Sequence, residues 1–331
     1  MATGGLATGG VSTGGVQATG GLTTGGLPTE GGSIGGITAS GGSTRDASPD
    51  GTIRADAAPD SVDTAGKGET AGIADTNGAK PDTVVATGGS NGTTPIKVWI
   101  AGDSTVATCS SACPCGWGGQ FDALFNANIT VNNVAVAGRS IQTWLYQDAV
   151  STTKGSDGEC TLTSSTYNAR WTNLLNTTTG MKAGDYLFIQ FGINDGDTAC
   201  PRHVGGALYQ KYLGMMAQAA KDKGAQPVFL TPTSAISCSG SNAVATRGFL
   251  TETKTAGTTF GVPVIDLHQL SISLYNSLKL CPNNEDYSAG AVGNFFCADH
   301  THFEAAGAAQ IAKVVAQAVK DQKLGLAGYL L

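Results

Sequence analysis

Four short stretches of the chain carry residue types that together can cleave an acyl bond: Gly102-Asp103-Ser104-Thr105, Gly138-Arg139-Ser140, Gly192-Ile193-Asn194-Asp195 and Asp299-His300-Thr301-His302. A serine hydroxyl is a poor nucleophile until a base takes its proton. An imidazole does this best when a carboxylate on its other ring nitrogen fixes the tautomer and stabilises the cation. Ser104, His302 and Asp299 supply the three groups, and across a turn a carboxylate at position 299 reaches the near ring nitrogen of His302 while the far one points to Ser104. The negative oxygen that develops on the attacked carbonyl needs donors. The candidates are the backbone N–H groups of Ser104 and Gly138 and the side-chain amide of Asn194. Glycine suits position 138 because a missing Cβ lets the backbone come close to a substrate.

These stretches need a scaffold that brings them to one edge. Short β-branched or apolar runs at Ile96 to Ala101, Ile129 to Val136, Tyr186 to Phe191, Pro227 to Leu230 and Val262 to Ile265 are each bounded by Gly, Pro, Asp or Asn, and read as buried strands. Helical spacing falls between them, at Tyr167 to Leu175, Leu208 to Lys221 and Val244 to Thr255. Alternation of this kind predicts an α/β fold with a parallel sheet of about five strands and helices on both faces. In such a sheet ligands bind beyond the carboxyl ends of the strands, where Ser104, Gly138 and Asn194 fall. The final helix is the clearest element: Ile311, Val314, Val315, Ala318 and Val319 form one apolar stripe, with Lys313, Lys320 and Asp321 off it. That stripe is core packing, and the Asp299 to His302 stretch directly precedes the helix.

Composition divides the chain. Residues 1 to 94 contain no Phe, Tyr, Trp, Cys or His, yet hold 24 of the 48 glycines, with Thr-Gly-Gly recurring at 3, 8, 13, 19 and 24. A segment without large apolar groups cannot offset the roughly 1 to 2 kcal/mol per residue that ordering costs, so it is expected to be a disordered stalk or linker. Residues 95 to 331 are expected to form one catalytic domain. The net charge of −6 lies mostly in the first segment, and the rest has no basic block, which speaks against a nucleic-acid partner. No run of about 18 apolar residues is present to span a membrane. Eight cysteines, an even set, favour disulfides and an oxidising, extracellular location, over a metal site at Cys109, Cys113 and Cys115. A bond between Cys281 and Cys297 is expected, because the two flank the loop leading into Asp299.

The ordered blocks Gly102-Asp103-Ser104, Gly138, Gly192-x-Asn194-Asp195 and Asp299-x-x-His302 resemble those of the SGNH, or GDSL-type, hydrolases over essentially all of residues 96 to 320. Gly102-Asp103-Ser104-Thr105-Val106-Ala107, Gly116-Trp117-Gly118, Val136-Ala137-Gly138-Arg139-Ser140 and Asp299-x-Thr301-His302-Phe303 resemble, within that superfamily, the rhamnogalacturonan acetylesterase branch. Ile193 stands where many relatives carry His. The resemblance implies a three-layer, flavodoxin-like fold. It also implies a secreted, monomeric serine esterase that removes O-acetyl groups from plant cell-wall polysaccharide or oligosaccharide and needs no metal or cofactor; the stalk suits attachment at a cell surface.

Other readings compete at individual residues. Ser104 would also serve as a helix cap, and Asp103 and Asp195 read as loop residues. His300 and His302 form an H-x-H pair that suits a metal, although alternation along the chain sends their rings apart. His203 and His268 read as surface or packing residues. Trp117 is either core or, with an open face, a stacking surface for a sugar. Arg139 either contacts a uronate carboxylate or anchors its loop. The rival classes are a broader lipase-like or acetylxylan- and aryl-directed esterase of the same superfamily, and a non-catalytic carbohydrate-binding surface protein.

Overall fold

The computed structural model describes residues 93–331 apart from Ala112. The segment read as a stalk, residues 1 to 94, therefore lies outside the described residues but for its last two.

Five strands form one sheet: β1 (Ile96–Gly102), β2 (Ile129–Asn133), β3 (Tyr186–Gln190), β4 (Gln226–Leu230) and β5 (Val264–Ile265). All neighbours pair parallel, in the order β2-β1-β3-β4-β5. From β1 the chain proceeds to one side and later to the other, so the order reverses between β1 and β3, the point at which a doubly wound sheet opens a crevice. Successive side chains point to opposite faces, and the core divides accordingly. Val98, Ile100, Phe188, Val228, Leu230 and Ile265 pack on one face, whereas Trp99, Ala101, Leu187, Ile189 and Phe229 pack on the other.

The second face is covered by α1 (Ile141–Tyr146), α2 (Ala169–Leu175), α3 (Gly206–Asp222) and α4 (Leu250–Phe260). The first is covered by α5 (Leu267–Ser277), α6 (Ala305–Asp321) and a 3₁₀ turn at Trp117–Gln120. In α6 the apolar stripe turns inward: Ile311, Val315, Ala318 and Val319 are buried, while Lys313, Lys320 and Asp321 are exposed. Three helices carry start signals that make their positions intelligible, and at the head of α2 the Asn168 side chain accepts from the Arg170 N–H (3.0 Å). Ser140 and Thr143 cap α1 reciprocally, and the Asp266 carboxylate accepts from the Gln269 N–H at the head of α5.

The expected helix at Val244 to Thr255 begins later, at Leu250. Residues before it are committed elsewhere: Cys238–Ser239 and Asn242–Ala243 pair as a small antiparallel ribbon, and the Val244 N–H donates to the Ser237 carbonyl (2.9 Å). The expected Cys281–Cys297 disulfide is absent. The four bonds are Cys109–Cys115, Cys113–Cys297, Cys160–Cys200 and Cys238–Cys281, with Cα separations of 4.3, 6.1, 5.6 and 5.7 Å. Cys281 follows α5 and meets the ribbon at Cys238. Cys297 lies on the stretch that reaches Phe303, and Phe303 bridges to Cys115, so Cys297 faces the loop after Ser104 instead.

Candidate active site

Strand β1 delivers Ser104 into a tight turn beyond its carboxyl end. The Asp103 carbonyl accepts from Val106 N–H (3.2 Å) and Ala107 N–H (3.0 Å), and its Oδ1 accepts from Thr105 N–H (2.9 Å) and Thr105 Oγ1–H (2.8 Å). Gly102 has to be glycine here, because a Cβ would come within 2.7 Å of Val106. Below the turn a buried relay fixes it: Trp117 Nε1–H donates to Gln190 Oε1 (2.8 Å), and Gln190 Nε2–H donates to Thr105 Oγ1 (2.8 Å). Trp117 is thus fully buried, edge-on to Phe121, and offers no face to a sugar. Its contribution is to the rigidity of the Ser104 turn.

The turn preceding α6 delivers the imidazole. His302 Nε2 lies 2.6 Å from Ser104 Oγ, and His302 Nδ1 lies 2.5 Å from Asp299 Oδ2. Asp299 Oδ1 accepts from the backbone N–H groups of Thr301 (3.0 Å) and His302 (2.9 Å). Partial burial pushes this carboxyl up, but the His302 backbone N–H, the His302 ring and the Thr301 N–H outweigh it and hold the group down at about 2. A hydroxyl, an imidazole and an ionised carboxylate therefore stand in one hydrogen-bonded line, the arrangement that makes a serine nucleophilic. His300 adopts a left-handed backbone (φ 60°), and its ring packs against Tyr287 with centroids 4.6 Å apart. The two rings of the H-x-H pair do not converge.

The donors come from the two neighbouring strands. Val136 N–H donates to the Gly102 carbonyl (3.0 Å), which lays the segment after β2 beside the Ser104 turn. Gly138 has φ 72°, a conformation that side chains resist, and a Cβ there would meet nothing within 4 Å. Among the described residues, the N–H groups of Ser104 and Gly138 donate to no protein acceptor. Asn194 follows β3. Its Nδ2 donates to the Arg139 carbonyl (3.1 Å) and its Oδ1 accepts from Arg202 Nη1 (3.3 Å), so the amide is held at both ends with one N–H uncommitted.

Asp195 ties these two segments together. It is fully buried and accepts from Ile141 N–H and Gly192 N–H, both at 2.8 Å, one on each oxygen. Burial raises its pKa to about 7; the two N–H groups oppose the shift and the charge of nearby Asp103 adds to it. Asp103 is raised too, by burial, and its Oδ2 has no partner among the described residues. Arg139 touches the site only through its carbonyl. Its guanidinium lies close enough to Arg170 to lower that group's pKa, after burial, by repulsion, and it does not line the cavity beside Asn194. That cavity, about 360 Å³, is lined by Gly192, Ile193, Asn194, Asp197, Arg202 and Arg247 among others. His203 bonds the Asp197 carbonyl through Nδ1 (2.6 Å), and His268 is buried on α5 with Nε2 unpartnered among the described residues.

Residues 98–315 match the family described as GDSL-like Lipase/Acylhydrolase. The chain belongs to that family. Among curated members similar to it are the rhamnogalacturonan acetylesterase RhgT of Bacillus subtilis, 29% identical over 252 residues that span 72% of this chain and 95% of that protein, and the probable rhamnogalacturonan acetylesterase YesY of the same organism, 26% identical over 69% of this chain and 94% of that one. Among solved structures, protein YXIM of Bacillus subtilis superposes with a TM-score of 0.55 at 22% identity, covering 70% of this chain and 58% of that one. In this GDSL-like acylhydrolase, four residues with a structural part in the site escaped sequence reasoning: Thr105, Gln190, Asp195 in its bridging role, and Arg247. Gln190 carries a signal that was available, a polar residue closing a strand whose other positions are all buried and apolar.

Proposed function

We propose that this protein is a secreted serine acetylesterase that removes O-acetyl groups from plant cell-wall polysaccharide, rhamnogalacturonan or a related pectic chain, through an acyl-Ser104 intermediate. The observation that carries the reading is the line Ser104 Oγ, His302, Asp299 at 2.6 and 2.5 Å. His302 Nε2 takes the Ser104 proton as Oγ attacks the acetyl carbon. The oxyanion formed is met by the N–H groups of Ser104 and Gly138 and by the free Asn194 N–H. His302 then gives its proton to the departing sugar oxygen, leaving acetyl-Ser104, and the same imidazole activates water to release acetate. Asp299 stays ionised throughout and holds the ring. No step calls for a metal or cofactor.

Acetyl as the acyl group and a carbohydrate as the alcohol are supported by the names of the curated relatives. They are supported too by a cavity beside Asn194 whose lining is Gly, Asn, Asp, Arg and Thr with Ile193 the one large apolar residue, ill suited to a fatty acyl chain. Export is supported by the four disulfides. No described helix is long and apolar enough to cross a membrane. Acetate release from acetylated pectin, xylan and chitin fragments tests the reading: pectic fragments are expected to be the best substrates, and Ser104→Ala is expected to abolish all but a trace of turnover. Full activity in Ser104→Ala refutes the mechanism, and preference for xylan or chitin refutes the substrate.

A further inference from the structure

The cavity beside Asn194 contains a cation with no anion bonded to it. Arg247 lies on the loop before α4. Its Nε–H donates to the Thr233 carbonyl (3.0 Å), its Nη2–H to Thr301 Oγ1 (3.3 Å), and its Nη1–H reaches the Thr246 carbonyl at 3.5 Å. These contacts occupy three of the five N–H donors of a guanidinium, and every acceptor is neutral. The acidic groups that feel its charge, Asp103 and Asp299, do so through space. Among the described residues, no ion pair involves Arg247. Burial already lowers its pKa, the mark of a cation paying for lost solvent.

The neighbouring cation is in a different state. Arg202, at the rim, bonds Asp197 Oδ2 through Nη2 (2.5 Å) and Asn194 Oδ1 through Nη1 (3.3 Å), so its charge is balanced inside the protein. The lining thus holds two guanidinium groups against one carboxylate. Its volume of about 360 Å³ sits at the small end of the roughly 300 to 1,000 Å³ common for ligand sites. Asn194 lines it, and Arg247 ties its wall by the bond to Thr301 Oγ1 to the turn that carries His302.

We propose that Arg247 binds a carboxylate on the sugar chain of the substrate, in the cavity next to Asn194, so that the enzyme selects esters on acidic glycans over the same esters on neutral ones. A guanidinium suits this task because its planar fork meets both oxygens of a carboxylate. The assignment replaces Arg139, which does not line the cavity. It rests on the acetylesterase reading above and adds to it the residue that binds the acid group of the sugar chain.

The test compares an acetylated uronic-acid oligosaccharide bearing free carboxylates with the same oligosaccharide after methyl esterification, and uses p-nitrophenyl acetate as a small neutral control. The wild type is expected to favour the free acid by about 10- to 100-fold in kcat/KM, mostly through KM, as one or two hydrogen bonds to a charged group allow. The preference should shrink as salt is raised. In Arg247→Gln the ratio between the two forms should fall towards one, with Arg247→Lys between. Turnover of p-nitrophenyl acetate together with equal rates on the two oligosaccharides in the wild type overturns this inference and leaves the acetylesterase reading standing. If Arg247→Gln loses the same factor on both forms, Arg247 is only a structural tie and the inference fails. Turnover of none of the three substrates by the wild type defeats the acetylesterase reading, and the inference with it.

Discussion

Asn194 offers the sharpest separation between chemistry and structure. Its amide is held by the Arg139 carbonyl at 3.1 Å and by Arg202 at 3.3 Å, so one N–H is aimed and stationary before any substrate arrives. A donor fixed in this way acts on charge that appears only in the transition state, and its removal costs about 100- to 1000-fold in kcat, or roughly 2.7 to 4 kcal/mol. The structural cost is smaller. Asn194→Ala removes one hydrogen bond to a half-buried carbonyl and an exposed one to an arginine that keeps its Asp197 partner, about 1 to 2 kcal/mol together. In a domain of this size that moves Tm by about 2 to 8 °C. The expected result, read by steady-state kinetics on an acetyl ester beside a thermal melt, is a kcat lower by two to three powers of ten, KM little changed, and a melt lowered by only a few degrees, so that the variant is fully folded at assay temperature. Asn194→Asp, which keeps the shape but turns a donor into an acceptor facing the oxyanion, should be slower still. A variant whose KM rises while kcat holds removes Asn194 from the oxyanion site and leaves it a binding residue.

Asp195→Asn should destabilise the domain by about 1 to 3 kcal/mol, since one oxygen cannot serve both the Ile141 and Gly192 N–H groups. It should also change the pH profile. Because the wild-type carboxyl titrates at about 7 when folded and near 3.8 when unfolded, it is protonated only in the folded chain across that window. Wild-type stability should therefore decline relative to the variant as pH rises from about 4 to 7, and parallel urea-melt profiles would disprove the assignment. Peptide mapping without reduction should recover Cys113 with Cys297 and Cys238 with Cys281. In the chain-entropy estimate the first, which closes 184 residues, is worth about 5 kcal/mol, and Cys109–Cys115, which closes 6, about 2. Equal losses on replacing either pair by serine would contradict that ordering. A chain beginning at Thr93 should fold and turn over p-nitrophenyl acetate as the full chain does; failure to fold would show that the Gly/Thr-rich residues are required.

The residues that bear on chemistry were more legible than those that hold them in place. Ser104 and Asn194 each follow a strand whose run is closed by glycine, and His302 stands just before a helix with a clear apolar stripe, so each element and its boundary can be read from composition. What holds them is not local. The Trp117 to Gln190 to Thr105 relay joins positions 73 and 85 residues apart, and nothing in the neighbourhood of any member announces the others. Arg247 was hidden for a related reason, since the segment around it reads as helix and only its pairing with the Cys238 ribbon and Thr233 keeps it a loop. The disulfides illustrate the limit most plainly: eight cysteines allow 105 pairings, and closeness along the chain, which favoured Cys281 with Cys297, says little about which sulfurs a folded sheet brings together. By contrast, the start of α5 is local, an Asp266 side chain accepting from the Gln269 N–H three residues on.

The proposed acid and base occupy a single turn, its shape set by N–H groups two and three residues beyond Asp299, whereas the proposed nucleophile lies 198 residues earlier in the chain. Half of the proposed machinery is therefore assembled by chain neighbours, and the other half by the packing of α6 on the sheet. A polypeptide emerging from the ribosome carries Ser104 early and remains inert until His302 and the helix behind it have been made. Ester cleavage by this protein is in that sense a report that synthesis has run to the final helix, and an intermediate stalled short of it has no means of attacking acyl groups in the compartment where it is made.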